Sequence, residues 1–239
     1  MVKLRVLIPA AGRGSRAGLP YPKTLYPVDG VPILHRLLAV LSIYDATPTV
    51  VVSPEGEPLI RDSLHQAGLN AHLVIQPEPR GMGDAVLCFD QSPVAKEAEN
   101  ILLVWGDLVN LQAKTVSKLV EKHIDHNNDF TFVTRSVDHA YTVVKRNELG
   151  HVVAVYETRE QKLNVPEPGE REIGLFAFRK NIVFRTLVTD HPAKIGSTTG
   201  EHGFLYVIER LVSIGALVEA LPIATQSDLI SFNSVSDIK

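Results

Sequence analysis

Four stretches in the first half of the chain are apolar almost without interruption: LRVLIPA at 4–10, TVVVS at 49–53, AHLVIQ at 71–76 and ILLVWGD at 101–107. A strand with one wet face alternates apolar and polar residues. These runs do not, so they predict strands buried on both faces. Between them the apolar residues recur three and four apart. ILHRLLAVLSIY at 33–44 predicts an amphipathic helix entered through Pro32, and shorter helices are predicted over 59–67 and after Gly83. Strands alternating with helices predict a parallel sheet covered on both sides. From residue 129 onward the pattern changes. DFTFVT (129–134), AYTVVKR (140–146), HVVAVYE (151–157) and EIGLFAFR (172–179) predict strands with little helix between them. A helix over 204–215 and a last strand, VEALPI (218–223), follow. The expected fold class is α/β, a Rossmann-like three-layer sandwich with a mostly parallel central sheet and an added antiparallel portion. No repeat or linker interrupts the pattern, so 1–239 is expected to form a single domain.

Composition narrows the function classes. With 45% hydrophobic and 21% charged residues, the chain has ample material for a core. A net charge of -3 and a pI near 6.3 lack the basic surplus of a nucleic-acid protein, and no such partner is expected. Cys88 is the only cysteine, which excludes an intrachain disulfide and fits a reducing cytoplasm. The first apolar run is short, contains Lys3 and Arg5, and leads into Gly-Arg-Gly, unlike a signal peptide. No run approaches the ~18 apolar residues of a membrane helix. A cytoplasmic protein without a membrane partner is expected, and association into a homo-oligomer is compatible with the sequence.

The candidate chemistry begins where the first strand ends, in AAGRGSRAGLPYPK at 10–23. In an open parallel sheet, ligands bind beyond the carboxyl ends of the strands. A P-loop would need its lysine to open a helix, but Lys23 follows Pro22, with Pro20 close before it. The dinucleotide pattern Gly-x-Gly-x-x-Gly also fails, because the glycines fall at 12, 14 and 18. An extended loop wrapped round a triphosphate remains. Gly12 and Gly14 would let backbone N–H groups approach phosphates, and Arg13, Arg16 and Lys23 would supply charge.

LIPAAGRGSRAGLPYPK resembles the Gly-x-Gly-Thr/Ser-Arg…Pro-Lys signature of the sugar-1-phosphate nucleotidylyltransferases. It is most similar to the uridylyltransferase domain that acts on N-acetylglucosamine 1-phosphate. The resemblance runs over almost the whole chain, strongest at this loop. It implies the nucleotide-diphospho-sugar transferase fold, a nucleoside triphosphate and a phosphorylated small-molecule acceptor as partners, Mg²⁺ as cofactor, and pyrophosphate as product. It also implies a functional division into a nucleotide-binding half, 1–128, and an acceptor-binding half, 129–239. The acetyltransferase repeat attached to some relatives is not within these residues, so no acetyl transfer is expected.

Carried over residue by residue, the resemblance implies nucleotide contacts from Pro9, Ala10, Ala11, Gly12, Arg13 and Gly14, and from Gln76, Gly81 and Met82 of QPEPRGMGDAV, which reads the base. Met82 stands where the family has threonine. Arg16 would stabilise the departing pyrophosphate, and Lys23 would bridge the α-phosphate and the incoming phosphate. Asp107 of VWGDL and Asn233 of DLISFNSVSD match the metal ligands, with Asp228 and Asp237 as substitutes. Oxygen ligands suit Mg²⁺.

The acceptor pocket matches less well. Thr142 stands where the family has a glycine after tyrosine, Glu157 fits the hairpin glutamate, and Gly174 is kept. Glu172 replaces an asparagine, adding a carboxylate that a phosphate would repel unless the acceptor carries a positive group. The expected reaction joins UTP or CTP to a sugar 1-phosphate. One alternative is a cytidylyltransferase acting on a small phosphorylated or phosphonylated amine. Another is a non-catalytic nucleotide-sugar-binding regulator. His123 and His126 are read as a solvated helix face, and Trp105 and the phenylalanines as core.

Overall fold

The computed structural model of this chain describes residues 3–12, 18–158, 160, 167–190, 194–232 and 234. In chain order the strands are β1 (Leu4–Pro9), β2 (Pro27–Val28), β3 (Val31–Pro32), β4 (Thr49–Val52), β5 (His72–Ile75), β6 (Asn100–Val104), β7 (Phe130–Ala140), β8 (Thr142–Arg146), β9 (Val152–Glu157), β10 (Glu167–Arg179) and β11 (Val218–Leu221). The helices are α1 (Ile33–Leu41), α2 (Gly56–Ala67), α3 (Met82–Leu87), α4 (Ala113–Asp125), α5 (Lys180–Asp190) and α6 (Tyr206–Ser213).

One sheet of seven strands runs in the order β11-β7-β10-β6-β1-β4-β5. β6, β1, β4 and β5 are mutually parallel, and β10 pairs antiparallel with β6 and β7, so both halves share the sheet. Helices cover both faces. On one, Leu34, Leu37 and Leu41 of α1, Ile60 of α2 and Leu119 of α4 pack against Val6, Ile8, Leu102 and Val104. On the other, Val86 of α3, Leu187 of α5 and Ile208 and Leu211 of α6 pack against Leu7, Leu103 and a phenylalanine cluster. Phe130, Phe132, Phe176, Phe178 and Phe204 lie in edge and stacked contacts. The α/β three-layer sandwich read from the sequence is the observed fold.

The structure corrects several boundaries. α1 stops at Leu41, because Ile43 is exposed and Asp45 is drawn away to accept hydrogen bonds from the Val6 and Thr47 amides. α2 starts at Gly56, whose amide donates to the Ser53 hydroxyl; its polar first turn carries no apolar signal. α5 fills part of the stretch between β10 and the helix expected over 204–215, for which the sequence pattern predicted no element. β2 and β3 form a small hairpin closed by Asp29 and Gly30, both at positive φ (50° and 79°), the requirement of a type I′ turn.

His123 is also corrected. It is fully buried on α4, with Nδ1 against the Thr131 hydroxyl (3.0 Å) and Nε2 against Asn100 Oδ1 (3.0 Å). Burial lowers its pKa to about 4, with the Arg179 charge assisting and Asp129 opposing. His126 turns outward to Glu219, so the two histidines share no ligand.

Candidate active site

β1, β4, β5 and β6 all point their carboxyl ends at one edge of the sheet, and the candidate residues gather there. Pro9 closes β1, and the Ala10 amide still donates to the Val51 carbonyl, 2.7 Å. Gly12 follows, and a Cβ there would meet nothing within 4 Å among the described residues. Arg13, Gly14 and Arg16 lie outside the described residues. Ala11, Ser53, Pro54, Gln76, Pro77 and Pro79 line a cleft between the ends of β1, β4 and β5.

Gln76 is buried at the back of this cleft. Its amide nitrogen donates to Asp84 (2.8 Å) and to the Gly81 carbonyl (3.2 Å), which fixes the side chain before any ligand arrives. Gly81 has φ 106°, and a Cβ on it would fall 2.5 Å from the His202 carbonyl oxygen. A Cβ on Gly83 would fall 2.4 Å from the Gly203 carbonyl oxygen. The His202 amide donates to Arg80 O (2.6 Å), and the Gly83 amide to His202 O (3.0 Å). Gly81 and Gly83 carry no side chain to hold these contacts apart. In the structure they let the 201–203 segment close onto the turn. Met82 is the first residue of α3, directly after it.

Lys23 and Asp107 meet across the edge. Lys23 opens a short 3-10 turn after Pro22, so no helix begins there in the P-loop manner. Asp107 arrives because Gly106 lets β6 pass close over the end of β1: a Cβ on Gly106 would sit 2.6 Å from the Pro9 carbonyl oxygen. The Lys23 ammonium lies 2.6 Å from Asp107 Oδ2 and 3.5 Å from the Phe232 carbonyl. Asp107 Oδ1 is buried and has no hydrogen-bond partner among the described residues. The Thr24 hydroxyl next to Lys23 is in the same condition. The closing segment is fastened here: the Phe232 amide donates to Asp107 O (2.8 Å), the Val109 amide to Ile230 O (2.9 Å), and the Phe232 ring stacks on Tyr26 at 4.4 Å.

Asn233, next after Phe232 in the chain, and Asp237 lie outside the described residues. Asp228 is fully buried and accepts from the Gln112 and Thr225 amides and the Thr115 and Thr225 hydroxyls. Those bonds occupy it as a structural clasp, which corrects its reading as a substitute ligand.

The acceptor candidates come from the antiparallel half. Thr142 and Glu157 are paired across β8 and β9. Thr142, Glu172 and Gly174 are all buried. Glu172 accepts from the Gly174 amide (2.5 Å) and the Thr142 hydroxyl (3.2 Å). Its carboxyl is therefore turned into the protein. Burial raises its pKa to about 7; the Gly174 amide, the Arg171 charge and the Thr142 hydroxyl pull it down, and Glu157 pushes it up. Gly174, at φ 81°, lets Trp105 lie against the backbone, where a Cβ would be 2.8 Å from the indole. Trp105 is partly buried and packs against the phenylalanine cluster, its ring centre 5.9 Å from that of Phe176, and its Nε1 has no partner among the described residues.

The sequence reading passed over Arg171. It donates to Glu172 O (3.2 Å) and to the Tyr141 hydroxyl (2.5 Å), and its guanidinium carbon lies 4.1 Å from the Tyr141 ring centre. Its position between Glu170 and Glu172 was a usable signal, because a charge there needs a partner.

A glycine-bordered cleft, a lysine–aspartate pair at the carboxyl edge and an antiparallel flank define a protein of the nucleotidyl-transfer class. The chain belongs to the MobA-like NTP transferase domain family, whose model matches residues 6–171. It is 28% identical over 236 residues to the bifunctional protein GlmU of Heliobacterium modesticaldum, covering 98% of this chain and 50% of that one. It is 27% identical over 238 residues to GlmU of Geobacillus thermodenitrificans, with the same shares of 98% and 50%. The chain therefore spans about half the length of these curated relatives. A Bacillus anthracis protein provisionally named glucose-1-phosphate thymidylyltransferase has the same fold: the TM-score is 0.70 at 19% identity, over 91% of this chain and 87% of that one. No helix among the described residues is long and apolar enough to cross a membrane.

Proposed function

We propose that this chain is a nucleotidyltransferase that joins a pyrimidine nucleoside triphosphate, UTP or CTP, to a sugar 1-phosphate and releases pyrophosphate. The observation that carries the reading is the Lys23–Asp107 pair, a charge-carrying lysine beside a carboxylate with one buried, unpartnered oxygen, set at the carboxyl edge next to the glycine loop. A phosphate oxygen of the acceptor attacks the α-phosphorus; an O–P bond forms and the bond to the β-phosphate bridging oxygen breaks. The monoester is already an anionic nucleophile, so positioning and charge neutralisation carry the catalysis. Lys23 neutralises the α-phosphate and the incoming phosphate, exchanging its contact with Asp107 for them. Arg16 is assigned to the pyrophosphate. Gln76, pre-set by Asp84 and Gly81, orients the base at the back of the cleft.

The donor set fits Mg²⁺, which takes oxygen ligands and binds through one or two carboxylates plus substrate phosphates. Asp107, whose Oδ1 has no protein partner among the described residues, and Asn233 would hold it, and it would supply neutralisation of phosphate charge. The buried, inward-turned Glu172 supports a neutral sugar over an amine acceptor, since the extra carboxylate was the reason to expect an ammonium. The test is pyrophosphate release from an array of nucleoside triphosphates against sugar 1-phosphates and phosphorylated amines. Turnover confined to a pyrimidine triphosphate with a sugar 1-phosphate is expected; turnover with phosphorylated amines alone, or none at all, overturns the reading.

A further inference from the structure

Arg135 on β7 and Arg171 on β10 stand directly opposite each other in a regular stretch of antiparallel register. Opposed residues project from the same face of a sheet, and like charges there are unfavourable. Seven other arginines lie within ion-pair distance of a carboxylate. Among the described residues Arg135, Arg171 and Arg185 do not; Arg185 is exposed, whereas Arg135 and Arg171 are partly buried. Arg135 donates to the Ala224 carbonyl, 2.7 Å, and Arg171 to Glu172 O and the Tyr141 hydroxyl. Those contacts hold each guanidinium in place and leave most of its N–H groups unused. Glu172, whose field reaches Arg171, has its oxygens on Gly174 and Thr142 instead.

The pair is also well placed. β10 pairs with β6 from Leu175 onward, so Arg171 lies past the end of β6, where Asp107 emerges. The Tyr141 hydroxyl that holds Arg171 is within Coulombic range of both Asp107 and Glu172. Two fixed guanidinium forks on one face, with no carboxylate among the described residues to pair them, make a receptor for an oxyanion.

We propose that Arg135 and Arg171 form an oxyanion subsite that takes the phosphate or a carboxylate of the acceptor, with Tyr141 as the positioning residue for Arg171. The identity of that ligand rests on the nucleotidyl-transfer reading; the existence of the subsite does not.

The experiment titrates inorganic phosphate, and separately acetate, into the full chain without triphosphate, by calorimetry. At least one of the two should bind. Its dissociation constant should rise tenfold or more in Arg171→Gln and in Arg135→Gln, and less in Arg171→Lys and Tyr141→Phe. The tighter of the two anions distinguishes phosphate from carboxylate. Phenylglyoxal labelling of the wild-type chain, read residue by residue by mass spectrometry, covers the case in which a variant fails to fold. The bound anion should protect Arg135 and Arg171. Absence of binding, dissociation constants within twofold of wild type in folded variants, or equal labelling with and without anion overturns the subsite. Arginine-dependent binding in a chain that releases no pyrophosphate with any substrate pair sinks the nucleotidyl-transfer reading and leaves the subsite standing.

Discussion

At the carboxyl edge of the sheet, β1, β4 and β6 end and give way to loops, while β7 and β10 run on together as a two-stranded arm, paired from Ala140 and Glu167 down to Thr134 and Glu172. The hairpin of β8 and β9 backs that arm through Arg146–Glu170 and Thr142–Glu172. The parallel half presents its site with backbone: glycines where chains cross closely, and short loops that end strands. The antiparallel half presents its site with side chains whose partners lie far away in sequence, as Thr142 and Glu172 do. Buried polar groups follow the same division. In the parallel half the buried oxygens without a partner among the described residues, on Thr24 and Asp107, cluster where a ligand is proposed. In the antiparallel half Thr142 and Glu172 are bonded to each other. A half whose buried oxygens await a ligand and a half whose buried carboxylate is already bonded should respond differently to mutation.

The largest difference is expected in chemistry. Lys23→Ala should lower pyrophosphate release by several orders of magnitude. Its side chain is 25% exposed and paired with Asp107, so the melting temperature should fall only modestly. Asp107→Asn should lose activity and Mg²⁺ response together. Turnover near wild type in the lysine variant would remove it from the reaction, whatever its contact with Asp107.

Next in size are the glycines. Gly83→Ala places a Cβ 2.4 Å from a backbone oxygen, and neither chain can yield cheaply. An overpacking cost of about 1–3 kcal/mol is expected in urea unfolding. Gly12→Ala meets nothing within 4 Å among the described residues, so its stability should hold within about 0.5 kcal/mol while triphosphate affinity drops. Equal stability losses in the two variants would erase the distinction between a packing glycine and a ligand-facing one.

How much of this was legible in the sequence follows the same line. The parallel strands and the Gly-Asp after β6 are local patterns, and they sit where the pattern put them. Asp29-Gly30 was an equally local hairpin signal that was passed over. His123 was misread because its partners, Asn100 and Thr131, are on two other elements; helix position alone cannot tell a buried histidine from a solvated one. Asp228 was misread for the same reason: Gln112 and Thr115 lie more than a hundred residues earlier in the chain. The Arg135–Arg171 opposition exists only in the β7–β10 register, which shifts between Glu172 and Phe176 and cannot be counted off the sequence.

The smallest effect, and the one that tests the antiparallel half most directly, is the pH response of Glu172. Its carboxyl has an ordinary pKa of 4.5 and, buried, one of about 7 in the folded chain. A carboxyl raised on folding favours the folded state while protonated: that stability is fully present below 4.5 and is lost as pH rises through about 7. Glu172→Gln keeps an acceptor for the Gly174 amide and has no proton to lose. The variant's melting temperature relative to wild type should therefore be flat in acid, climb across that interval, and level off above it. Because the Arg171 charge holds the carboxyl down, Arg171→Gln should move the wild-type transition to higher pH. A difference that does not vary with pH would mean that water or a ligand reaches Glu172, and the carboxylate would return as a candidate to face the acceptor.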